Sequence, residues 1–400
     1  MLQRVDYNIG MITLQLPETP CNASINRVQL AALPGLCIDA GVLGMCAYNL
    51  LSTPALIQYA REQPALALPD LSPRTTGARV ELPRLVAAAL NAPDSAVRAA
   101  AQAVAHRLGR NLGYILITLH RGDVANRAAR PDWGAREWDL WAQIHPIWVG
   151  GGLTRGLFGA QLVTAARELL AELGYADQIR LARAAYGGTV ALVGAARYLP
   201  AVITTGLCFD FGQTLIKQGI VRVDRGTLTQ LHTLAPFPVP WDWENYHDTG
   251  QAIPAVDVLD FSVTVLVEAL AAARAQGHTP GPDIMVSCAS YIHQGRLMGN
   301  GLYARMQTLA DNVGALIAEH LMERTGRAWR VHLIHDGAAA ASVYAGAQEA
   351  AVIVIGTALG VGFPPHTAVG LRPLAADFTV VEGLGAEIDS KQEMLQDATQ

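Results

Sequence analysis

Three glycine-rich turns stand directly after apolar, strand-like segments. At each, backbone N–H groups can approach a phosphate with no Cβ in the way. They are Asp210-Phe211-Gly212-Gln213-Thr214, followed by Lys217; Gly356-Thr357-Ala358-Leu359-Gly360-Val361-Gly362; and Gly150-Gly151-Gly152. One glycine turn after a strand is an ordinary turn. Three of them, in a chain that also carries an aspartate at a strand end, Asp336, form a more specific combination, and its chemistry is phosphate binding. Each polar residue also has an ordinary reading. Asp210 can be a turn former bonded to its own backbone, Thr214 a β-branched strand residue, Lys217 a solvated strand face, and Asp336 the N-cap of the alanine-rich helix after it. Thr357, a hydroxyl among glycines, has little packing purpose.

The elements that must position these residues alternate between strand and helix, which predicts an α/β fold. Apolar residues recurring every three or four positions from Asp94 to Leu119 give the clearest helix. Pro146-Ile147-Trp148-Val149 reads as a buried strand running into Gly150, with a helix from about Gly159 to Gly174 and another from Val190 to Tyr198 that ends at Pro200. Val202–Asp210 and Leu215–Val223 read as a hairpin around the first glycine turn. Helices follow at Val256–Gln276 and Met306–Thr325, and strands at Ile284–Ser287 and Arg330–Ile334, the latter running into His335-Asp336. A helix at Ala338–Ala347 and a strand at Ala351–Ile355 lead into the second phosphate-type turn.

Composition sets the frame. The chain has 400 residues, 51% hydrophobic and 16% charged, enough apolar material for a large core in two lobes. A net charge of −5 without any basic run excludes a nucleic-acid footprint. Five scattered cysteines without a C-x-x-C pair point to reduced thiols and a cytoplasmic address. The longest apolar stretch, Ala350–Phe363, is too short for a membrane span of roughly 20 residues. No signal-peptide core is evident at the start, so neither a membrane nor a nucleic-acid partner is expected.

Set side by side, these segments resemble the ROK sugar kinases of the actin-like ATPase superfamily over roughly residues 90–365. FDFGQTLIKQGIV (Phe209–Val221) looks like the D-x-G-G-T-x-x-K hairpin that serves that family as its first phosphate loop. HDGAAAASVYAGA (His335–Ala347) is similar to N-D-A-N-A-A-A, whose Asp is the catalytic base, and IGTALGVGF (Ile355–Phe363) to the second phosphate loop, G-T-G-x-G-x-G. PIWVGGGLTRGLF (Pro146–Phe158) and GGTVALVGAARYL (Gly187–Leu199) resemble the adenosine-side glycines and closing helix that normally end the chain. Here they come first, as if the usual end near Leu199 were joined to the usual beginning near Thr204.

The resemblance implies a two-lobed actin-like ATPase (ribonuclease H-like) fold, circularly permuted. Residues 1–186 plus 335–400 form a large lobe and 187–334 a small one. It implies an ATP- and Mg²⁺-dependent kinase acting on a hydroxyl of a small sugar-like molecule, with Asp336 as base and Asp210 near Mg²⁺ through water. Gly212, Gln213, Thr214, Lys217, Gly356, Thr357 and Gly360 cradle the phosphates, and Gly150, Gly151 and Gly152 the adenosine. His335, where relatives have Asn, and Asn300 are substrate-side candidates. The departures matter. Gln213 and Ala358 replace loop glycines, and the family's E-x-x-G-H sugar and zinc segment has no match. A remnant of its zinc loop at Leu36–Leu56 keeps only Cys46 in register, so zinc is not expected and Cys37 and Cys46 read as small buried hydrophobes. A non-catalytic nucleotide- or metabolite-binding descendant is therefore the alternative. A ROK-type repressor lacks the helix-turn-helix it needs, and a homodimer is left open.

Overall fold

The structure is a computed structural model that describes residues 23–72, 75–200, 202–241, 253–293, 295–299 and 301–383. Asn300, Cys21, Trp243 and Tyr246 lie outside the described residues. Among those described, the strands are β1 (Pro146–Gly150), β2 (Arg180–Arg183), β3 (Thr205–Phe211), β4 (Leu215–Asp224), β5 (Thr227–Pro238) and β6 (Asp283–Cys288). They continue with β7 (Tyr291–His293), β8 (Arg296–Met298), β9 (Arg330–His335), β10 (Ala351–Ile355), β11 (Leu359–Gly362) and β12 (Leu374–Val381). The class is mixed α/β with parallel pairing, as the alternation predicts.

Two sheets carry the architecture, one ordered β12-β5-β4-β3-β6-β9 and the other β11-β10-β1-β2. Their centres follow one pattern. A tight antiparallel hairpin (β3 with β4, β10 with β11) donates its first strand to a parallel neighbour (β6, β1), which takes a second parallel neighbour (β9, β2). In the six-stranded sheet these strands run in sequence. In the four-stranded sheet the parallel strands come from residues 146–183 and the hairpin from residues 351–362, on the far side of the other sheet in the chain.

The core explains why the helices sit where they do. Helix Ser95–Arg121 is started by Asp94, whose side chain accepts from Ala96 N at 2.7 Å, and stopped by Gly122 at φ 51°. Its Gly109 lies so close to helix Gly156–Glu172 that a Cβ there would stand 2.2 Å from Leu162 O. Only a residue without a side chain permits that approach. One apolar cluster surrounds this pair and the four-stranded sheet. A second fills the face of the six-stranded sheet under helices Ala255–Ala275 and Val313–Thr325. The opposite face of that sheet is covered by helices Val190–Ala196 and Asp336–Ser342.

Several expected elements differ in extent. The helix expected at Met306–Thr325 is a 3₁₀ segment, Tyr303–Thr308, and then helix Val313–Thr325. Asn312 caps the latter by accepting from Ala315 N at 3.0 Å, so the chain must leave helical geometry there. The helix expected at Ala338–Ala347 ends at Ser342. Helices Thr53–Arg61 and Thr76–Ala89 occupy a region for which the sequence predicts no element. Cys37 is exposed and Cys46 half-buried, not the buried hydrophobes expected, because both belong to a turn-rich surface segment before helix Ala47–Leu51. Among the described residues, no helix is long and apolar enough to cross a membrane.

Helix Asp336–Ser342 is clamped through glycines. A Cβ on Gly194 would lie 1.7 Å from Ala339 O, and one on Gly362 1.8 Å from Gly337 O. Gly194→Ala should therefore lower unfolding stability by about 2 kcal/mol or more, the upper range for overpacking, as read by urea denaturation. Gly174→Ala, where the same atom meets nothing within 4 Å, should show only the smaller effect of a residue held at φ 80°.

Candidate active site

A cavity of about 740 Å³ lies between the two sheets. Asp210, Gly212, Gln213, Thr214 and Lys217 line it from the first hairpin, and Gly356, Thr357 and Gly360 from the second. Gly151, Gly152, His335 and Asp336 complete the set of expected residues found there. Gly150 does not line it. Its missing Cβ makes room for Val190 Cγ1, 2.7 Å from where that atom would be, so Gly150 serves helix packing.

The two hairpin turns meet. Thr214 Oγ1 and Thr357 Oγ1 are 2.6 Å apart, a hydrogen bond between residues 143 positions apart. The first turn is drawn in by the buried Tyr303, whose hydroxyl donates to Gly212 O at 2.7 Å. The second is held from the N-terminal region. Thr53 N donates to Gly356 O at 2.8 Å, and the Asn26 amide bonds both backbone groups of Leu359, accepting from its N–H at 2.9 Å and donating to its C=O at 2.8 Å. Gly151 adopts φ 101° and lies against Ile355, where a Cβ would be 2.3 Å from the carbonyl oxygen, so the turn after β1 and the end of β10 are locked together.

Asp210, buried near the end of β3, accepts from Ser287 Oγ at 3.0 Å and pairs with Lys217 Nζ at 2.9 Å, its cross-strand partner in the hairpin. Lys217 is thus not a free solvated face. Asp336 opens helix Asp336–Ser342, with His335 in the N-cap position, so the carboxylate is not itself the cap. Its Oδ1 accepts from Gly337 N at 2.6 Å and lies 3.1 Å from His335 Nε2. Oδ2 has no such neighbours among the described residues, so the geometry presents it as the free oxygen. Gly360 leaves room for this carboxylate, since a Cβ there would be 3.0 Å from Oδ1.

Burial first, and the Asp210 carboxylate second, push the Asp336 carboxyl up to about 7. The Gly337 N–H and Lys217 oppose that shift. Burial pushes His335 down to about 3, so its ring is neutral and stacks on Tyr291 at 4.4 Å. His335 therefore spends one nitrogen on Asp336 and its face on Tyr291. A carboxyl poised near neutrality can accept a proton at physiological pH.

Sequence reasoning missed several lining residues: Asn26, Arg79, Arg155, Ser290 and Tyr291. Ser290 Oγ and Gln213 Oε1 are buried with no hydrogen-bond partner among the described residues, which marks them as groups facing a ligand space. Gln213, where the family has glycine, at least announced itself as a departure. Nothing local marks the others. Among the described residues no group of three or more His, Cys, Asp or Glu forms a metal cluster. A phosphate-bound Mg²⁺ uses one or two carboxylates with water, and Asp210, with one partner on each oxygen, retains acceptor capacity for that role.

No family model matches the chain, and no curated protein matches it. Among solved structures, 33% of the chain is similar to 35% of the Aquifex aeolicus member of the Ppx/GppA protein family, at 13% identity and a TM-score of 0.19. The similarity thus spans about a third of that structure's length, and the two-sheet pattern described above stands on its own hydrogen bonds.

The raised Asp336 pKa has a stability consequence. The folded protein keeps this proton up to about pH 7, whereas an unperturbed carboxyl releases it near 3.8. The resulting stabilisation is present below the lower value and lost as pH rises through the higher. The melting temperature of Asp336→Asn minus that of the wild type should therefore increase from pH 5 to pH 8. A flat difference across that range would show an unperturbed carboxyl.

Proposed function

We propose that this protein is an ATP-dependent kinase of the actin-like ATPase superfamily, related to the ROK sugar kinases by circular permutation, that phosphorylates a hydroxyl of a small sugar-like molecule. The single observation that carries the reading is the meeting of two glycine-rich hairpin turns at Thr214 and Thr357 in one cavity with a near-neutral carboxyl, Asp336. Permutation is supported by the shared strand pattern of the two sheets and by the split origin of the four-stranded one. In this reading residues 1–186 plus 335–400 are the large lobe and 187–334 the small lobe, except that β12 pairs with β5 in the sheet of the small lobe.

The turns around Gly212–Thr214 and Gly356–Gly360 hold the β- and γ-phosphates with backbone N–H groups and the two threonine hydroxyls. Gly151 and Gly152 lie on the adenosine side. Asp210 would hold a Mg²⁺ ion through water, which would supply charge neutralisation on the phosphate oxygens. Asp336 Oδ2 takes the proton of the acceptor hydroxyl as its oxygen attacks the γ-phosphorus and the bond to the β-phosphate oxygen breaks, releasing ADP. The Gly337 N–H and His335 hold Oδ1 and fix the plane of the base.

The Lys217–Asp210 ion pair favours one second reading, a non-catalytic nucleotide or metabolite binder, because each group's charge is already met by the other. One experiment separates the two. With a panel of monosaccharides, wild-type phosphoryl transfer from ATP should rise with pH and level off above about 7, as Asp336 ionises. Asp336→Asn should lose roughly 10²- to 10⁴-fold of that rate while Mg-ADP affinity changes little. Nucleotide binding without transfer to any acceptor in the wild type would establish the binder.

A further inference from the structure

We infer that helix Thr76–Ala89 forms, with Gly152 and the apolar residues beside it, the subsite that holds the flat base of the nucleotide. The inference rests on the nucleotide reading above and deepens it by assigning the ring to a helix that no glycine turn or family motif contains.

This helix carries two apolar faces. Ala78, Leu82 and Val86, four residues apart, are buried in the cluster around the four-stranded sheet. Val80, Pro83 and Ala87, spaced by three and four, are half-buried and line the cavity. A helix packed on one core needs one apolar stripe, so the second stripe has its partner in the cavity. Pro83 strengthens the point. A proline inside a helix brings no N–H to the helical ladder and destabilises it, and the residue kept in spite of this is one whose ring forms cavity wall.

The neighbouring wall has the same character. Leu56, Leu153 and Phe158 line the cavity, and all three are buried. Next to Leu153, Gly152 has no packing reason to be glycine, since a Cβ there would meet nothing within 4 Å. It has no conformational reason either, because it is not among the glycines with positive φ, as Gly151 is. What the missing side chain leaves is bare backbone on the cavity, against which a flat ring can lie.

The chain sets this apolar wall between the two ends of the site. Val239 N donates to Thr214 O at 2.9 Å, and two residues on, Trp241 O accepts from Thr76 Oγ1 at 3.3 Å, so the start of the helix is tied to the Thr214 turn. Further along, the helix packs against helix Gly156–Glu172, which follows Gly151 and Gly152. A nucleotide whose phosphates sit on the Thr214 and Thr357 turns therefore has this stripe within the same cavity, and its flat, weakly polar part is the base. The volume of about 740 Å³ lies within the range of cavities that enclose ligands of that size.

Calorimetric titration of the full chain with Mg-ATP and Mg-tripolyphosphate tests this. The wild type should bind Mg-ATP the more tightly, because it alone of the two brings a base. Ala87→Trp, which fills the subsite from the helix, should weaken Mg-ATP by about tenfold or more, the scale of overfilling a packed site, and leave Mg-tripolyphosphate unchanged. Gly152→Val fills it from the turn, should act in the same direction, and carries the test if Ala87→Trp does not fold. A folded variant with wild-type affinity for Mg-ATP overturns the subsite and leaves the nucleotide reading standing, as does wild-type protein that binds the two ligands equally. Equal losses for both ligands in a variant show a deformed cavity and overturn the subsite as well. Wild-type protein that binds neither ligand, or tripolyphosphate alone, overturns the subsite and the nucleotide reading together.

Discussion

The arrangement depends on one short helix that packs on both sides without side chains of any size. Residues 337–341 of helix Asp336–Ser342 are glycine and four alanines, all buried. Ala338 and Ala339 belong to the apolar cluster on the six-stranded sheet, whereas Ala340 and Ala341 pack with Val352 of the four-stranded one. Gly194 and Gly362 close on the helix so tightly that its carbonyls occupy the space their own Cβ atoms would need. Interiors at this density transmit displacement, since no gap is left to absorb it. Whatever moves one sheet against the other must therefore move Asp336, the first residue of this helix.

That coupling accounts for the electrostatics of the site. Asp336 is pinned where burial penalises its charge and where the Asp210 carboxylate, from the end of a strand in the six-stranded sheet, adds repulsion. Asp210 is stabilised locally by Ser287 and Lys217, so of the two carboxyls the strain of like charge falls on Asp336. The neutral His335 ring, held between Tyr291 and the Asp336 carboxylate, adds orientation without adding charge.

The N-terminal region supplies what the two sheets lack. Asn26 and Thr53 hold the second hairpin turn through its backbone, and helix Thr76–Ala89 forms a wall of the cavity. In a chain whose hairpin β10–β11 arrives late and whose partner strands β1 and β2 arrive early, the residues before β1 are free to cover the cleft. This region carries the least resemblance to known motifs because its work is done by single polar residues on ordinary helices and turns.

What the sequence determined by itself follows from neighbours along the chain. Alternating apolar runs and helical periodicity announced the α/β class, and the glycines after β1, β3 and β10 announced turns open enough for phosphate. The position of Asp336 at a strand end was equally legible, since each of these signals is complete within about ten residues. Tertiary structure alone decided that Thr214 and Thr357, 143 residues apart, touch at 2.6 Å, and that Lys217 turns to Asp210. It alone decided that Gly150 faces Val190 and that the carboxyl of Asp336 is raised to about 7. Those outcomes depend on distance through space and on exclusion of water, and neither is encoded in spacing along the chain. The same holds for Arg79, which as a sequence letter is one arginine on an amphipathic helix and becomes a cavity residue only when that helix closes over the two turns.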